Sequence, residues 1–116
     1  MTWMQALSLS ELQNNPRQKK TINEQSILFL WHQDSVHAIQ PQCPHLKLPL
    51  MKGELTNQCE IICPFHKSAF DLHTGNVACW SPWPPVIGPL LGKVSKEKQL
   101  KIYPTRIEDD MIWVDA

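Results

Sequence analysis

The stretch over residues 43–66, CPHLKLPLMKGELTNQCEIICPFH, decides how this chain folds and holds most of its chemistry. It begins with a Cys-x-His pair, Cys43 and His45, and ends with a Cys-x-x-His pair, Cys63 and His66. Residues 46–62 separate the two pairs. Cysteine thiolates and histidine imidazoles are ligands of zinc and of iron in proteins. The pattern therefore predicts a metal site built from two short loops.

The order of the ligands bears on which metal the site takes. Zinc fingers keep like ligands together, two cysteines followed by two histidines, around one tetrahedral ion. Here each loop carries one cysteine and one histidine. That arrangement suits a [2Fe–2S] cluster in which two cysteines bind one iron and two histidines bind the other. The cluster is favoured, and zinc is the alternative.

The residues around the four ligands form a longer signature. It reads Cys43-Pro44-His45, then Cys63-Pro64-Phe65-His66, then Phe70-Asp71 and Thr74-Gly75. This resembles the Rieske iron–sulfur signature, and the resemblance extends over nearly the whole chain. It implies that Cys43 and Cys63 bind the inner iron through thiolates. It also implies that His45 and His66 bind the outer iron through a ring nitrogen.

Differences from the quinol-oxidising members of that family indicate which branch of it this chain resembles. Quinol-oxidising Rieske proteins carry an additional cysteine in each cluster loop, where this chain has Leu48 and Phe65. They also carry a membrane anchor, and we expect none here. The chain is therefore more similar to the soluble ferredoxins associated with oxygenases. Ser68 falls where the quinol-oxidising proteins place a serine that donates a hydrogen bond to a cluster sulfide, so we include it among the cofactor-binding residues.

The remaining sequence predicts an all-β fold. Ten prolines, four glycines and short apolar runs between turn residues are typical of strands rather than long helices. One helical turn is expected near Ser10, which we predict as its N-cap, and one strand is expected over residues 100–107. Turns between strands are expected at Asn23-Glu24, Gln33-Asp34-Ser35 and Glu108-Asp109-Asp110. The resemblance implies a single Rieske domain over residues 1–116. In it, a cluster-binding subdomain of about residues 41–85 is inserted in a basal antiparallel β-sandwich.

Composition excludes several classes of function. The formal net charge is zero, which gives no basis for a nucleic-acid partner. No apolar run approaches the length of a membrane span, and the N-terminus lacks the features of a secretory signal. We therefore predict a soluble, cytoplasmic protein without a membrane anchor. Cys59 and Cys79 are predicted to be structural thiols.

The predicted function is one-electron transfer, without catalysis. A [2Fe–2S] carrier would take an electron from a reductase and pass it to an oxygenase or another acceptor protein. The alternative is a redox-sensing or regulatory iron–sulfur subunit of a larger oxidoreductase complex. A terminal oxygenase is disfavoured, because such enzymes also need an iron held by two histidines and a carboxylate, and no histidine follows Gly75.

Prolines, tryptophans and lysines in the segment after the signature lead to three further predictions. Pro82, Pro84 and Pro85 are expected to form a loop that covers the cluster, as the resemblance implies. Trp80 and Trp83 offer either an apolar docking surface or a seal against water. The lysines of this region offer either an electrostatic docking surface or a solvated loop, and they are Lys93, Lys96, Lys98 and Lys101.

Overall fold

The computed structural model describes residues 2–44, 47–65, 67–79 and 99–116. Antiparallel strands dominate these residues, which confirms the all-β prediction. The elements, in chain order, are β1 (Trp3–Ser8), α1 (Leu9–Asn14), β2 (Arg17–Ile22), β3 (Gln25–His32), β4 (Ser35–Ile39), β5 (Glu54–Leu55), β6 (Glu60–Ile62), β7 (Ala69–Asp71), β8 (Val77–Cys79), β9 (Ile102–Tyr103), β10 (Thr105–Glu108) and β11 (Met111–Asp115).

The chain divides into two compact units. One comprises Met1–Pro41 with Ile102–Ala116, and the other comprises Gln42–Lys101. The predicted extent of the cluster-binding subdomain, about residues 41–85, stays a prediction, because residues 80–98 lie outside the described part. The predictions for Trp80, Trp83, the covering prolines and three of the four lysines fall on the same segment.

The first unit contains two antiparallel sheets, with strand orders β1-β11-β10 and β2-β3-β4-β9. Strand β3 carries the apolar run of the chain, and Ile27, Leu28, Phe29 and Leu30 are all fully buried. Such a run, without alternation of polar residues, is typical of a strand covered on both faces. The hydrophobic core draws on both sheets and on the helix, through Leu7, Leu12, Ile27, Phe29, Ala38, Tyr103, Ile112, Val114 and Ala116.

Tight two-residue turns set the register of three hairpins in this unit. In each turn both central residues have φ between 51° and 64°, which is the left-handed region. These are type I′ turns, whose twist matches that of the strands they join. The central pairs are Asn23-Glu24, Gln33-Asp34 and Asp109-Asp110, at the three places where the sequence predicts turns.

Two local predictions are wrong, and each has a physical reason. The N-cap of α1 is Ser8 rather than Ser10, and the Ser8 hydroxyl oxygen accepts a hydrogen bond from the Glu11 N–H at 3.1 Å. The spacing Ser8 to Glu11 is that of a capping box, which the apolar pattern alone does not reveal. The single strand expected over residues 100–107 is instead divided at Pro104, with β9 and β10 in different sheets.

The second unit is built on a four-stranded antiparallel sheet of order β5-β6-β7-β8. Ile61 on β6 lies opposite Phe70 on β7, and both side chains are fully buried. This pair anchors the hairpin whose connection contains Cys63. No helix within the described residues is long and apolar enough to cross a membrane. The predicted cytoplasmic location stays a prediction.

Candidate metal centre

Two loops of the second unit carry the predicted ligands, and the structure describes three of the five site residues. Cys43 lies in the first loop, residues 43–48, and Cys63 lies in the second loop, residues 63–68. Both cysteines are buried, with exposed fractions of 1% and 0%, and Ser68 at the end of the second loop is also fully buried. His45 and His66 lie outside the described residues. Their ligand roles stay predictions.

The two loops have the same backbone hydrogen bonds around their cysteines. In the first loop, the Cys43 N–H donates to the Leu48 carbonyl at 2.7 Å, and the Lys47 N–H donates to the Cys43 carbonyl at 2.7 Å. The second loop repeats both bonds twenty residues later. Its Cys63 N–H donates to the Ser68 carbonyl at 2.8 Å, and its Lys67 N–H donates to the Cys63 carbonyl at 3.0 Å. Each cysteine is thus held by its own N–H and its own carbonyl.

The closure of the loops is equivalent too. Gln42 forms a bridge with Pro49 across the first loop, and Ile62 pairs with Ala69 across the second. Each loop is therefore six residues closed by a pair seven positions apart. The sequence shows this repeat as Cys-Pro-x-x-Lys at residues 43–47 and again at 63–67. The histidines obscure this repeat in the sequence, because they occupy different positions in the two loops.

A left-handed lysine completes the match between the loops. Lys47 has φ 57° and Lys67 has φ 62°, and each is the fifth residue of its loop. The left-handed residue reverses the chain so that the sixth carbonyl can meet the cysteine N–H. A residue with a Cβ adopts this conformation at a cost of about 1–2 kcal/mol. Both loops therefore hold backbone strain at a position that glycine would occupy freely.

We expect Lys67→Gly to stabilise the protein. The substitution removes left-handed strain of about 1–2 kcal/mol and adds an unfolded-state entropy cost of about 0.5–1 kcal/mol, so the net gain is about 0.5–1 kcal/mol. Thermal unfolding would detect it as a rise in Tm of about 2–5 °C.

Lys52→Gly is the matched control for this prediction. Lys52 is also exposed and lies in the same unit, but its φ is not in the left-handed region. That variant has no strain to lose and should be destabilised. Equal destabilisation by Lys52→Gly and Lys67→Gly would show that the left-handed residue carries no strain.

Cys59 is buried like Cys43 and Cys63 but lies outside the two loops. It is buried and lies at the opposite end of the three-residue strand β6 from Cys63, which separates the two Cα atoms by roughly 13 Å along an extended chain. Burial, and then the nearby Asp71 carboxylate, raises the pKa of the Cys59 thiol above its ordinary value. Both observations favour a protonated structural thiol.

The Asp71 turn fixes the end of β7. Its Oδ1 accepts hydrogen bonds from the His73 N–H at 2.7 Å and the Thr74 N–H at 3.0 Å. Burial acts to raise the pKa of Asp71, but these hydrogen bonds and the His73 imidazole outweigh it and hold the pKa below its usual value. The chain then turns at Gly75, whose φ of 79° suits glycine. The Phe-Asp part of the signature is therefore the end of β7, and the Thr-Gly part belongs to the turn that follows it.

Comparisons with known proteins identify relatives of this arrangement. The family model described as "Rieske [2Fe-2S] domain" matches residues 2–104. Human apoptosis-inducing factor 3 is 28% identical over 69 residues, covering 60% of this chain and 11% of that protein. The ferredoxin component of the alkene monooxygenase system of Xanthobacter autotrophicus is 32% identical over 54 residues, covering 47% of this chain and 44% of that protein. The matches thus span less than half of these relatives.

Several solved structures cover nearly all of this chain, and one of them is a ferredoxin. The ferredoxin of carbazole 1,9a-dioxygenase from Nocardioides aromaticivorans IC177 has a TM-score of 0.75 and 22% sequence identity. The match covers 98% of this chain and 97% of the other. At this identity the similarity concerns the fold, and it agrees with the antiparallel sheets described above.

Proposed function

This chain belongs to the Rieske [2Fe-2S] domain family, and from that premise we propose that it carries single electrons between a reductase and an oxygenase or another acceptor protein. Its cofactor is a [2Fe–2S] cluster, which accepts and releases one electron when bound. The proposed ligands are Cys43 and Cys63 for one iron and His45 and His66 for the other. The ferredoxins of two oxygenase systems among the similar proteins support the choice of partner.

The observation that carries the proposal is the equivalence of the two loops. Each presents one buried cysteine from the same closed six-residue turn, held by the same two backbone hydrogen bonds. If Cys43 and Cys63 bind as thiolates, the iron of the cluster compensates their charge within the buried loops. The donor set therefore fits a metal cluster. Rigid loops also suit electron transfer, because little has to move when the charge changes.

A cycle of reduction and reoxidation tests the proposal on the full chain. The protein is reduced anaerobically with dithionite, freed of excess reductant and mixed with oxidised cytochrome c as a one-electron acceptor. A carrier delivers one electron per chain and can be cycled repeatedly with an unchanged absorption spectrum. A protein that binds no iron, or that cannot return its electron, would contradict the proposal. A regulatory subunit would instead remain bound to a larger oxidoreductase in both redox states.

Ser68 is proposed to set the potential of the cluster. Its side chain is fully buried, and its carbonyl accepts the Cys63 N–H, which places Ser68 beside a proposed ligand. A hydroxyl that donates to a cluster sulfide stabilises the more negative reduced state and raises the reduction potential.

We expect Ser68→Ala to lower the reduction potential. If the hydrogen bond is about 1 kcal/mol stronger in the reduced state, the decrease is about 40 mV for one electron. Protein-film voltammetry measures it, with Ser35→Ala as the control, since Ser35 is exposed and lies in the first unit. An unchanged potential in Ser68→Ala would remove Ser68 from the cofactor-binding residues.

A further inference from the structure

An apolar groove lies beside the two loops within the second unit. Its volume is about 310 Å³, and it is lined by Pro49, Met51, Lys52, Pro64 and Phe65. Phe65 and Met51 are large apolar side chains that remain 49% and 37% exposed. Exposed apolar side chains around a concave site are typical of binding surfaces. Pro64 and Phe65 belong to the second loop and Pro49 directly follows the first, so the groove adjoins both.

Lys52 lines the groove, and Lys47 and Lys67 lie in the two loops that adjoin it. Lys47, Lys52 and Lys67 are all exposed. Residues 42–53 and 63–68 contain no aspartate or glutamate. Glu54 directly follows the first of these stretches. The whole chain has a net charge of zero, so this concentration of lysines is a local feature. We call the groove and its three lysines the docking face.

We propose that the docking face binds a protein redox partner through an apolar side chain of that partner set within an acidic surface. The inference rests on the proposed electron-carrier function and adds the chemistry of the partner. The groove takes the apolar side chain, and the three lysines attract and orient the surrounding carboxylates. Binding here brings the partner to the loops that carry the proposed cluster ligands.

Other occupants fit the docking face less well. A second copy joined by two-fold symmetry would bring its own three lysines against these three, and like charges across an interface are repulsive. An anionic membrane would satisfy the lysines, but lipid insertion needs protruding apolar side chains rather than a groove. An acidic protein surface with one projecting apolar side chain satisfies both the charge and the shape.

Voltammetry on defined surfaces tests the proposal without a known partner. The probe is a gold electrode coated with a mixed monolayer of carboxylate-terminated and methyl-terminated alkanethiols, compared with an amine-terminated monolayer. Wild-type protein should exchange electrons faster on the mixed monolayer, and its rate there should fall as salt screens the attraction. Lys52→Glu and Met51→Ser should each slow the exchange by about fivefold on the mixed monolayer.

Lys19→Glu is the matched control, since Lys19 is an exposed lysine on β2 in the first unit. It should leave the rate on the mixed monolayer unchanged, and all variants should keep the wild-type absorption spectrum. Equal rates on both monolayers, or equal losses in Lys19→Glu and Lys52→Glu, would overturn the docking face. Two further results would also overturn it. One is binding of the wild-type protein to phosphatidylserine vesicles that Lys52→Glu abolishes, and the other is self-association in sedimentation that Lys52→Glu abolishes. Absence of any one-electron wave from the wild-type protein would instead overturn the carrier function itself.

Discussion

Cys63→Ser and Cys43→Ser are each expected to abolish stable binding of the [2Fe–2S] cluster. Each cysteine is buried and is held by two backbone hydrogen bonds in a closed loop, so the backbone fixes where its side chain begins. Changes to residues that only support metal ligands already cost about 10–100-fold in affinity, and loss of a thiolate ligand should exceed about 100-fold. Iron and sulfide content per chain, visible absorption and EPR of the reduced protein measure the loss.

Cys59→Ala provides the matched control. Cys59 is also buried, belongs to the same unit and adjoins the same strand β6, but at the end remote from Cys63. It should keep full iron and sulfide content and lose only modest stability. The assignment would be wrong if Cys59→Ala lost the cluster and Cys63→Ser kept it. Cys59 would then be the ligand and Cys63 the structural thiol. Iron analysis also separates the cluster from the zinc alternative.

The ligand residues of the candidate site could be predicted from the sequence, but the conformation of the loops that carry them could be predicted only in part. Cys43 and Cys63 stand at ligand spacing from histidines, and residue type and spacing are properties of the sequence itself. The left-handed conformation of Lys47 and Lys67 could not be predicted, since lysine rarely adopts it and only the closure of the loop requires it. The groove beside the two loops was missed for a related reason. Its residues come from separate stretches that only the folded chain brings together.

In the fold, too, the local turns could be predicted from the sequence, whereas the assignment of strands to sheets could not. The hairpin turns at residues 23–24, 33–34 and 109–110 lie where the sequence predicts them, because each contains an asparagine or aspartate, which favours a tight turn between strands. The separation of β9 from β10 was missed, although Pro104 marks it. A proline shows where ladder donors are lost, but it does not show that the chain then changes sheet.

Gly53→Ala is expected to be the most destabilising substitution that adds a single methyl group to the second unit. A Cβ at Gly53 would lie 2.7 Å from the Ile62 carbonyl oxygen and 2.8 Å from Cγ1 of Ile61. The φ of Gly53 is not in the left-handed region, so the cost is steric. Because the Ile62 oxygen belongs to the backbone of β6, it cannot move without moving the strand. We expect a loss of about 3 kcal/mol, and a decrease in Tm of about 10–15 °C.

The clash with the Ile62 carbonyl should also reduce cluster binding, since Ile62 directly precedes Cys63. Cluster content of Gly53→Ala should therefore fall together with Tm, whereas Lys52→Ala, one residue earlier and exposed, should change neither.

Combining Gly53→Ala with Ile61→Ala distinguishes the two clashes. The second substitution removes Cγ1 and Cδ1 of Ile61 but leaves the Ile62 carbonyl in place. The double variant should therefore lose less stability than the sum of the single variants, yet remain less stable than Ile61→Ala alone. Full additivity of the two losses in unfolding free energy would mean that the Ile61 side chain is not what the added methyl group meets.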